Sequence, residues 1–350
     1  LLDIGGDVIK NDTSVIINPD SVKRYPDFDW VRDSIFFSRS VIERMEFIIN
    51  NKVPCDNYYV QAVEGIGCTS FENEKPYEEM KYPNEEYRLL ALFRYWNVIN
   101  YFYPYKHLID KNWHNVLLDY IIRFRNVSDT SDYYLLVSEI GTKINDSHAL
   151  PTSKFFNNYL GKKFLPFDVN YIDGNTIVSE VYDIYDTIKP IIYVGDIVIS
   201  INDNPIDSIR AKLNPYAASS NNNVKEYIID VMMSRIGTDS VYLVLFRDDS
   251  LIYLEVPSIS YRDMYSYAIR YHSSIEVMEW ITDDIAYIRM AYLKQSMVDS
   301  IMALAVKSKA LIFDIRGYPR NTVYKISEYI MPFKSVFSLT YEPDLNYPGL

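Results

Sequence analysis

Ala310-Leu311-Ile312-Phe313-Asp314-Ile315-Arg316-Gly317 is the run whose reading decides the fold. Its first four residues are continuously apolar, as in a strand covered on both faces. Outward from it the pattern alternates: strand Ile285 to Met290, helix Met297 to Lys307, strand Ala310 to Ile315, helix Asn321 to Met331, strand Val336 to Tyr341. Strands separated by helical crossovers argue a parallel sheet with right-handed connections. Ligands of such sheets bind beyond the carboxyl ends of the strands, which puts Asp314 to Gly317 near any site.

Asp314 and Arg316 are two apart on one strand, so they face the same side and can pair as a structural bridge. For Gly317 two accounts stand. A glycine at a strand end lets the backbone approach a ligand or point an N–H at a developing oxyanion; a plain turn glycine before Pro319 is the other.

Upstream, residues 164–258 form a strand-rich module. Strands Asn175 to Val181 and Asp196 to Ile201 precede a helix over Val224 to Ser234, and a hairpin pairs Val241 to Phe246 with Leu251 to Val256 around Arg247-Asp248-Asp249-Ser250. Residues 79–163 are helical. A buried helix runs from Glu85 to the stop at Pro104, and a second is capped by Asp110, with Trp113, Val116, Leu117, Tyr120, Ile121 and Phe124 on one face. A third carries the stripe Tyr133, Val137, Ile140 and Ile144, and runs out at Asn145-Asp146-Ser147-His148-Ala149. Residues 1–78, with short runs at Ser14 to Asn18 and Tyr58 to Val63, read as a small, mostly β lobe.

The 350 residues carry 35 Lys and Arg against 47 Asp and Glu, for a net charge of −12. A phosphate backbone is repelled by this balance on average, so nucleic acid is not an expected partner. No apolar run approaches the ~18 residues that cross a bilayer, and the chain is expected to be soluble. The 33 tyrosines, each with an apolar body and a polar tip, suit half-buried positions and identify no chemistry. The two cysteines, Cys55 and Cys68, are close enough in sequence for a local disulfide in an oxidising compartment, and equally compatible with two free thiols. The start at Leu1 without Met and the end at Leu350 just past a strand-like run read as a trimmed chain.

Asp146, Ser147 and His148 form the densest polar cluster suited to acid–base work. A histidine at a helix end can titrate near neutrality as a base, or simply interact with the last carbonyls and the helix dipole; spacing alone favours the latter. Asp110 and His114 are four apart on one helical face, but no third metal ligand accompanies them. No P-loop, GxGxxG, CxxC or GxSxG motif occurs.

Taken in order, these pieces resemble a known family. They are Tyr87-Arg88-Leu89-Leu90-Ala91-Leu92-Phe93-Arg94-Tyr95-Trp96-Asn97-Val98-Ile99 with Tyr101-Phe102-Tyr103-Pro104-Tyr105-Lys106, then Asp146-Ser147-His148-Ala149, the Gly195-Asp196 strand start, and Leu311 to Pro319. The order resembles the S41 serine peptidases, which include the C-terminal processing proteases and the tricorn protease core, over about residues 85 to 341.

The resemblance implies a multidomain α/β fold: a small N-terminal lobe (1–78), a helical subdomain or N-terminal bundle (79–163), a PDZ-like β-rich module (164–258), and the first part of a ClpP/crotonase-like α/β core (259–350). It implies a serine endopeptidase acting on polypeptides, reading a free C-terminus through the PDZ-like module. In tricorn-like members a Ser-His pair at the helix end supplies the base, which maps onto Ser147 and His148, while the backbone N–H near Gly317 holds the oxyanion. The family's nucleophilic serine lies further on than Leu350, and Ser327, Ser335 and Ser338 stand in the wrong contexts, so none is assigned. Processing-protease relatives use a downstream lysine as base, which would make His148 auxiliary. No cofactor or metal is implied, and export from the cytoplasm is. The alternative is a non-catalytic ligand- or peptide-binding protein on the same core, as in the interphotoreceptor retinoid-binding modules.

Overall fold

The structure is a computed structural model that describes residues 28–51, 58–63, 69–182, 184, 191–273, 275–336, 338, 340–343 and 345. It is a mixed α/β chain that divides into two compact units. One takes in the described residues up to Val181, those from Ile192 to Ser258 and those from Thr340 onward; the other spans Ile259–Leu339 together with Tyr182–Ile191.

The first unit begins differently from its sequence reading. Residues 28–51 carry a short 3-10 turn and a helix, α1 (Arg39–Ile49). The β structure near them is the two-residue ladder pairing Gln61–Ala62 with Thr69–Ser70. Among the described residues of 1–78 helix outweighs strand, unlike the mostly β reading: Val41, Ile42, Met45, Ile48 and Ile49 recur at helical spacing, and that period prevails over the punctuation around it. The run Ser14 to Asn18 and both cysteines lie outside the described residues.

Three helices follow: α2 (Glu85–Phe102), α3 (Trp113–Arg125) and α4 (Thr130–Gly141). Their shared core is Leu92, Ile99, Trp113, Val116, Tyr120, Phe124, Tyr133, Leu136 and Ile140, the apolar face that the periodicity predicts for α3. Asp110 is not the cap of α3. Asn112, one residue before the first helical turn, takes that place and accepts the His114 amide at 2.9 Å.

The tyrosine- and tryptophan-rich motif of α2 is explained by how it ties these helices together. Arg88, 7% exposed, donates to the carbonyls of Phe124 (2.8 Å), Arg125 (2.8 Å) and Pro83 (2.9 Å). A cation thereby satisfies the last carbonyls of α3, where the helix dipole favours positive charge. Trp96 and Trp113 exchange indole N–H bonds to each other's carbonyls at 2.9 and 3.0 Å. Lys106 grips Asn100 through its carbonyl and side-chain oxygens, both at 2.7 Å.

A short helix, α5 (Lys154–Leu160), leads to a six-stranded antiparallel sheet, in which five strands run side by side and the two-residue strand Asn204–Pro205 pairs beside Ile197–Ile201. The five are β1 (Phe167–Ile172), β2 (Asn175–Val181), β3 (Ile197–Ile201), β4 (Ser240–Arg247) and β5 (Ser250–Pro257), in the spatial order β5-β4-β3-β2-β1. Between β3 and β4 run α6 (Ile206–Leu213) and α7 (Asn222–Met233). One face of the sheet is buried through Val178, Val198, Val241, Leu243 and Leu245. The predicted hairpin forms with Asp248 and Asp249 both at positive φ (46° and 57°), a type I′ pair at which Asp is tolerated. Asp196, 1% exposed, receives both the Arg247 guanidinium and the Tyr193 amide, which accounts for the Gly195-Asp196 strand start without a ligand.

The second unit carries α8 (Tyr261–Ser273) and a sheet of β6 (Met278–Thr282), β7 (Ile285–Arg289) and β8 (Ala310–Asp314), with α9 (Val298–Ala305) and α10 (Val323–Ile330). β7 and β8 pair in parallel, Ile285 beside Ala310 through Arg289 beside Asp314, and β6 joins β7 antiparallel. Ala286, Ile288, Met290, Leu293, Val298, Met302, Ala305 and Ile326 make its core. Only one face of β8 is covered: Leu311 and Phe313 pack on that core, whereas Ala310 and Ile312 are exposed. The strand expected over Val336 to Tyr341 is absent at its described residues Val336, Ser338, Thr340 and Tyr341. A strand needs a ladder partner, and Tyr341 instead gives its amide to the Tyr105 hydroxyl.

Candidate active site

The segment after α4 builds the acid–base cluster by local rules. A 3-10 turn (Thr142–Ile144) ends at Asn145, whose φ of 57° is left-handed, a conformation Asn tolerates. Asn145 is anchored by its amide on the Asp110 carboxylate at 2.6 Å, so Asp110 serves as a brace and not as half of a metal pair with His114. Among the described residues no group of three His, Cys, Asp or Glu side chains could hold a metal ion.

The chain then turns at Asp146-Ser147-His148, closed by the Ala149 amide on the Asp146 carbonyl at 3.0 Å. Oδ1 of Asp146 accepts both the His148 amide (2.8 Å) and the His148 ring Nδ1 (2.9 Å). The His148 side chain is otherwise open, 97% exposed. An ionised carboxylate only accepts, so the contact puts the ring proton on Nδ1 and leaves Nε2 bare. Ser147 is half-buried in the turn, and the ring bonds Asp146 and not the Ser147 hydroxyl.

Sequence reasoning passed over one member of this cluster. Tyr103 follows α2 directly, and Pro104 forces it into an extended conformation (φ −95°, ψ 105°). Its hydroxyl lies close enough to the Asp146 carboxylate to interact with it, and burial together with that anion pushes the Tyr103 hydroxyl up to about 12. Burial works to raise the Asp146 carboxyl, but the two His148 bonds, aided by the nearby Tyr103 hydroxyl, outweigh it and hold the group below its ordinary value. The X-Pro pair at the helix end was the available signal; a separation of 43 positions hid its neighbour Asp146.

In the second unit Asp314 and Arg316 pair as expected, doubly, with Nε to Oδ1 and Nη2 to Oδ2 both at 2.9 Å. Tyr287, which the sequence reading did not include, donates to Asp314 at 2.5 Å and accepts from Arg316 at 2.9 Å. The Arg316 bond, with those of Tyr287 and the Arg316 amide, holds the Asp314 carboxyl well below the carboxylate range against the opposing pull of burial.

Gly317 follows, and a Cβ placed on it would lie 2.6 Å from the Cβ of Ala291. Glycine is therefore required by the close approach of these two loops, a reason that neither sequence account contained. The Arg316 amide is committed to Asp314 at 3.0 Å, while among the described residues the Gly317 amide donates to no protein acceptor. Of the serines set aside, Ser327 lies in α10 with its hydroxyl on the Tyr324 carbonyl at 2.6 Å.

No protein-family model matches the chain, and neither does any curated protein sequence. Among solved structures the chain is similar to mature CPAF, at 12% identity and a TM-score of 0.44, over 66% of this chain and 55% of that one. It is also similar to a photosystem II D1 C-terminal processing protease, at 12% identity and a TM-score of 0.34, over 67% and 61%. The chain thus spans less than two thirds of either protein. Among the described residues no helix is long and apolar enough to cross a membrane.

Proposed function

We propose that this chain belongs to a serine peptidase of the S41 type that cleaves polypeptides, with His148 as the general base and Asp146 and Tyr103 as its positioning residues. The observation that carries this reading is the 2.9 Å contact from His148 Nδ1 to Asp146, which presents a bare Nε2. Such a nitrogen takes the proton of a serine Oγ as the oxygen attacks the peptide carbonyl carbon. The oxyanion then accepts from backbone N–H donors, a role that the family resemblance, and no contact seen here, gives to the Gly317 amide. Collapse expels the amine with the proton from His148, and water hydrolyses the acyl-enzyme by the same route in reverse.

Ser147 is the base's neighbour in this scheme, and no nucleophile is assigned among these 350 residues. The domain reading goes with it: 1–78 an accessory lobe, 79–163 helical, 164–258 PDZ-like, and 259–350 the first part of a ClpP/crotonase-like core, in an exported protein needing no cofactor. Recognition of a substrate C-terminus by strand addition at β1 would displace Asp230, which already takes the Tyr171 amide at 3.0 Å.

A second reading, a non-catalytic ligand- or peptide-binding protein on the same core, is favoured by one observation. The His148 side chain is almost wholly open to water, where a general base works least well. A serine-reactive fluorophosphonate separates the two. Protein expressed from the complete coding sequence labels on one serine if it is a hydrolase, and a folded preparation that fails to label supports binding alone.

A further inference from the structure

The two outermost strands of the sheet, β1 and β5, are built differently. At β1 the edge is obstructed. The strand is bulged between Asp168 and Val169, and α7 packs against it with the Asp230 carboxylate taking the Tyr171 amide. Asp230 is itself fixed by Arg210, which lies 4.0 Å above the Tyr171 ring. These are the devices by which a sheet protects an edge from further pairing.

Among the described residues β5, at the other edge, has none of them. It pairs residue for residue with β4 from Ser250 beside Arg247 to Pro257 beside Ser240, without a bulge, and it contains no Lys or Arg. The closing pair of a type I′ hairpin exchanges hydrogen bonds, so Ser250, Ile252, Leu254 and Val256 turn their backbone groups toward β4. The Tyr242 amide, which bonds Asn202 on the β3 side at 2.9 Å, agrees with that phase. Leu251, Tyr253 and Glu255 therefore turn their N–H and C=O groups outward. Their side chains lie on the open face, where Leu251 is 51% and Tyr253 72% exposed beside Tyr242.

We infer that β5 is a self-association edge, pairing antiparallel with β5 of a second copy of this chain across a two-fold axis at Tyr253. In that register Tyr253 stands opposite Tyr253 of the second copy, and Leu251 opposite its Glu255. Every outward N–H and C=O of the three residues on both strands finds a partner. Charge also selects the arrangement. A chain of net charge −12 must keep carboxylates apart on association; here Glu255 meets Leu251, and the Asp248-Asp249 turn meets Pro257 and Ser258, so no carboxylate faces another. Pro257 has no N–H to offer and ends the ladder.

An edge ladder of this length falls at the small end of specific interfaces, so the dimer is a weak one. Sedimentation equilibrium across roughly 1 to 500 µM reads an association in that range. The expected result is a monomer–dimer equilibrium that Tyr253→Lys weakens at least about tenfold. Under mild oxidation, Tyr253→Cys gives a dimer linked through the introduced thiol, identified by peptide mapping. Leu251→Cys alone does not, and Leu251→Cys with Glu255→Cys does. A chain that stays monomeric throughout overturns the inference, as does a dimer indifferent to Tyr253→Lys. So does a monomer whose β5 edge binds an unrelated extended peptide instead.

Discussion

A single oxygen, Oδ1 of Asp146, holds His148 by its amide at 2.8 Å and by ring Nδ1 at 2.9 Å. Two bonds from one acceptor to the backbone and the side chain of the same residue fix the plane of the ring and its tautomer together. The first consequence is spectroscopic. Nitrogen NMR of the neutral His148 ring should find the proton on Nδ1, and Asp146→Asn should abolish that preference. A ring protonated on Nε2 in the unsubstituted protein would contradict the assignment.

Tyr103 acts on the reaction through Asp146. Tyr103→Phe removes one of the interactions that hold the Asp146 carboxyl low, so that carboxyl should titrate at a higher pH. In the complete protein kcat/KM should fall off sooner toward acid pH, where the Asp146 carboxyl protonates more readily than in the parent. An unchanged pH profile would make Tyr103 a packing residue only.

The second unit should show a distinct acid sensitivity. The folded-state pKa of Asp314 lies below its unfolded value of about 3.9, through Arg316 first and Tyr287 next. Such a group contributes stability above the unfolded value and loses it as pH falls through the folded one. Urea unfolding between about pH 2 and 7 should therefore lose stability at the acid end, and Asp314→Asn should flatten that limb. An identical slope in the variant would remove the pair from the stability of the unit.

How much of this was legible beforehand depended on range. The α3 face, the β2 strand and the Asp248-Asp249 hairpin follow from local period and turn chemistry, and they form where expected. The Asp314–Arg316 pair was legible because its members are only two apart, although Arg316 lies in the turn just past β8 and not on the strand. Tyr103 on Asp146, Tyr287 between Asp314 and Arg316, and Ala291 against Gly317 were not, because each joins residues far apart in sequence. α1 was missed because Asn, Asp and Pro on either side suggested turns while its own apolar spacing was helical.

Gly317 gives a steric prediction. Gly317→Ala should destabilise the second unit by about 1 to 3 kcal/mol through the contact with Ala291, and Ala291→Gly should recover most of it in the double variant. A neutral single substitution would leave the close approach without energetic weight.

Arg88 tests the aromatic motif of α2. Arg88→Met leaves the last carbonyls of α3 buried without donors and should cost roughly 2 to 4 kcal/mol. Arg88→Lys should recover only part, since one ammonium does not reproduce three directed N–H bonds. Denaturant midpoints of the two variants check both statements.

The most direct test of His148 as the base is kcat/KM for peptide hydrolysis by His148→Ala beside its parent, both expressed complete and shown to be folded. The side chain is exposed, so folding should survive, and the rate should fall by at least about a thousandfold. Hydrolysis at close to the parental rate would contradict the account and move the proton to another base, a lysine elsewhere in the protein.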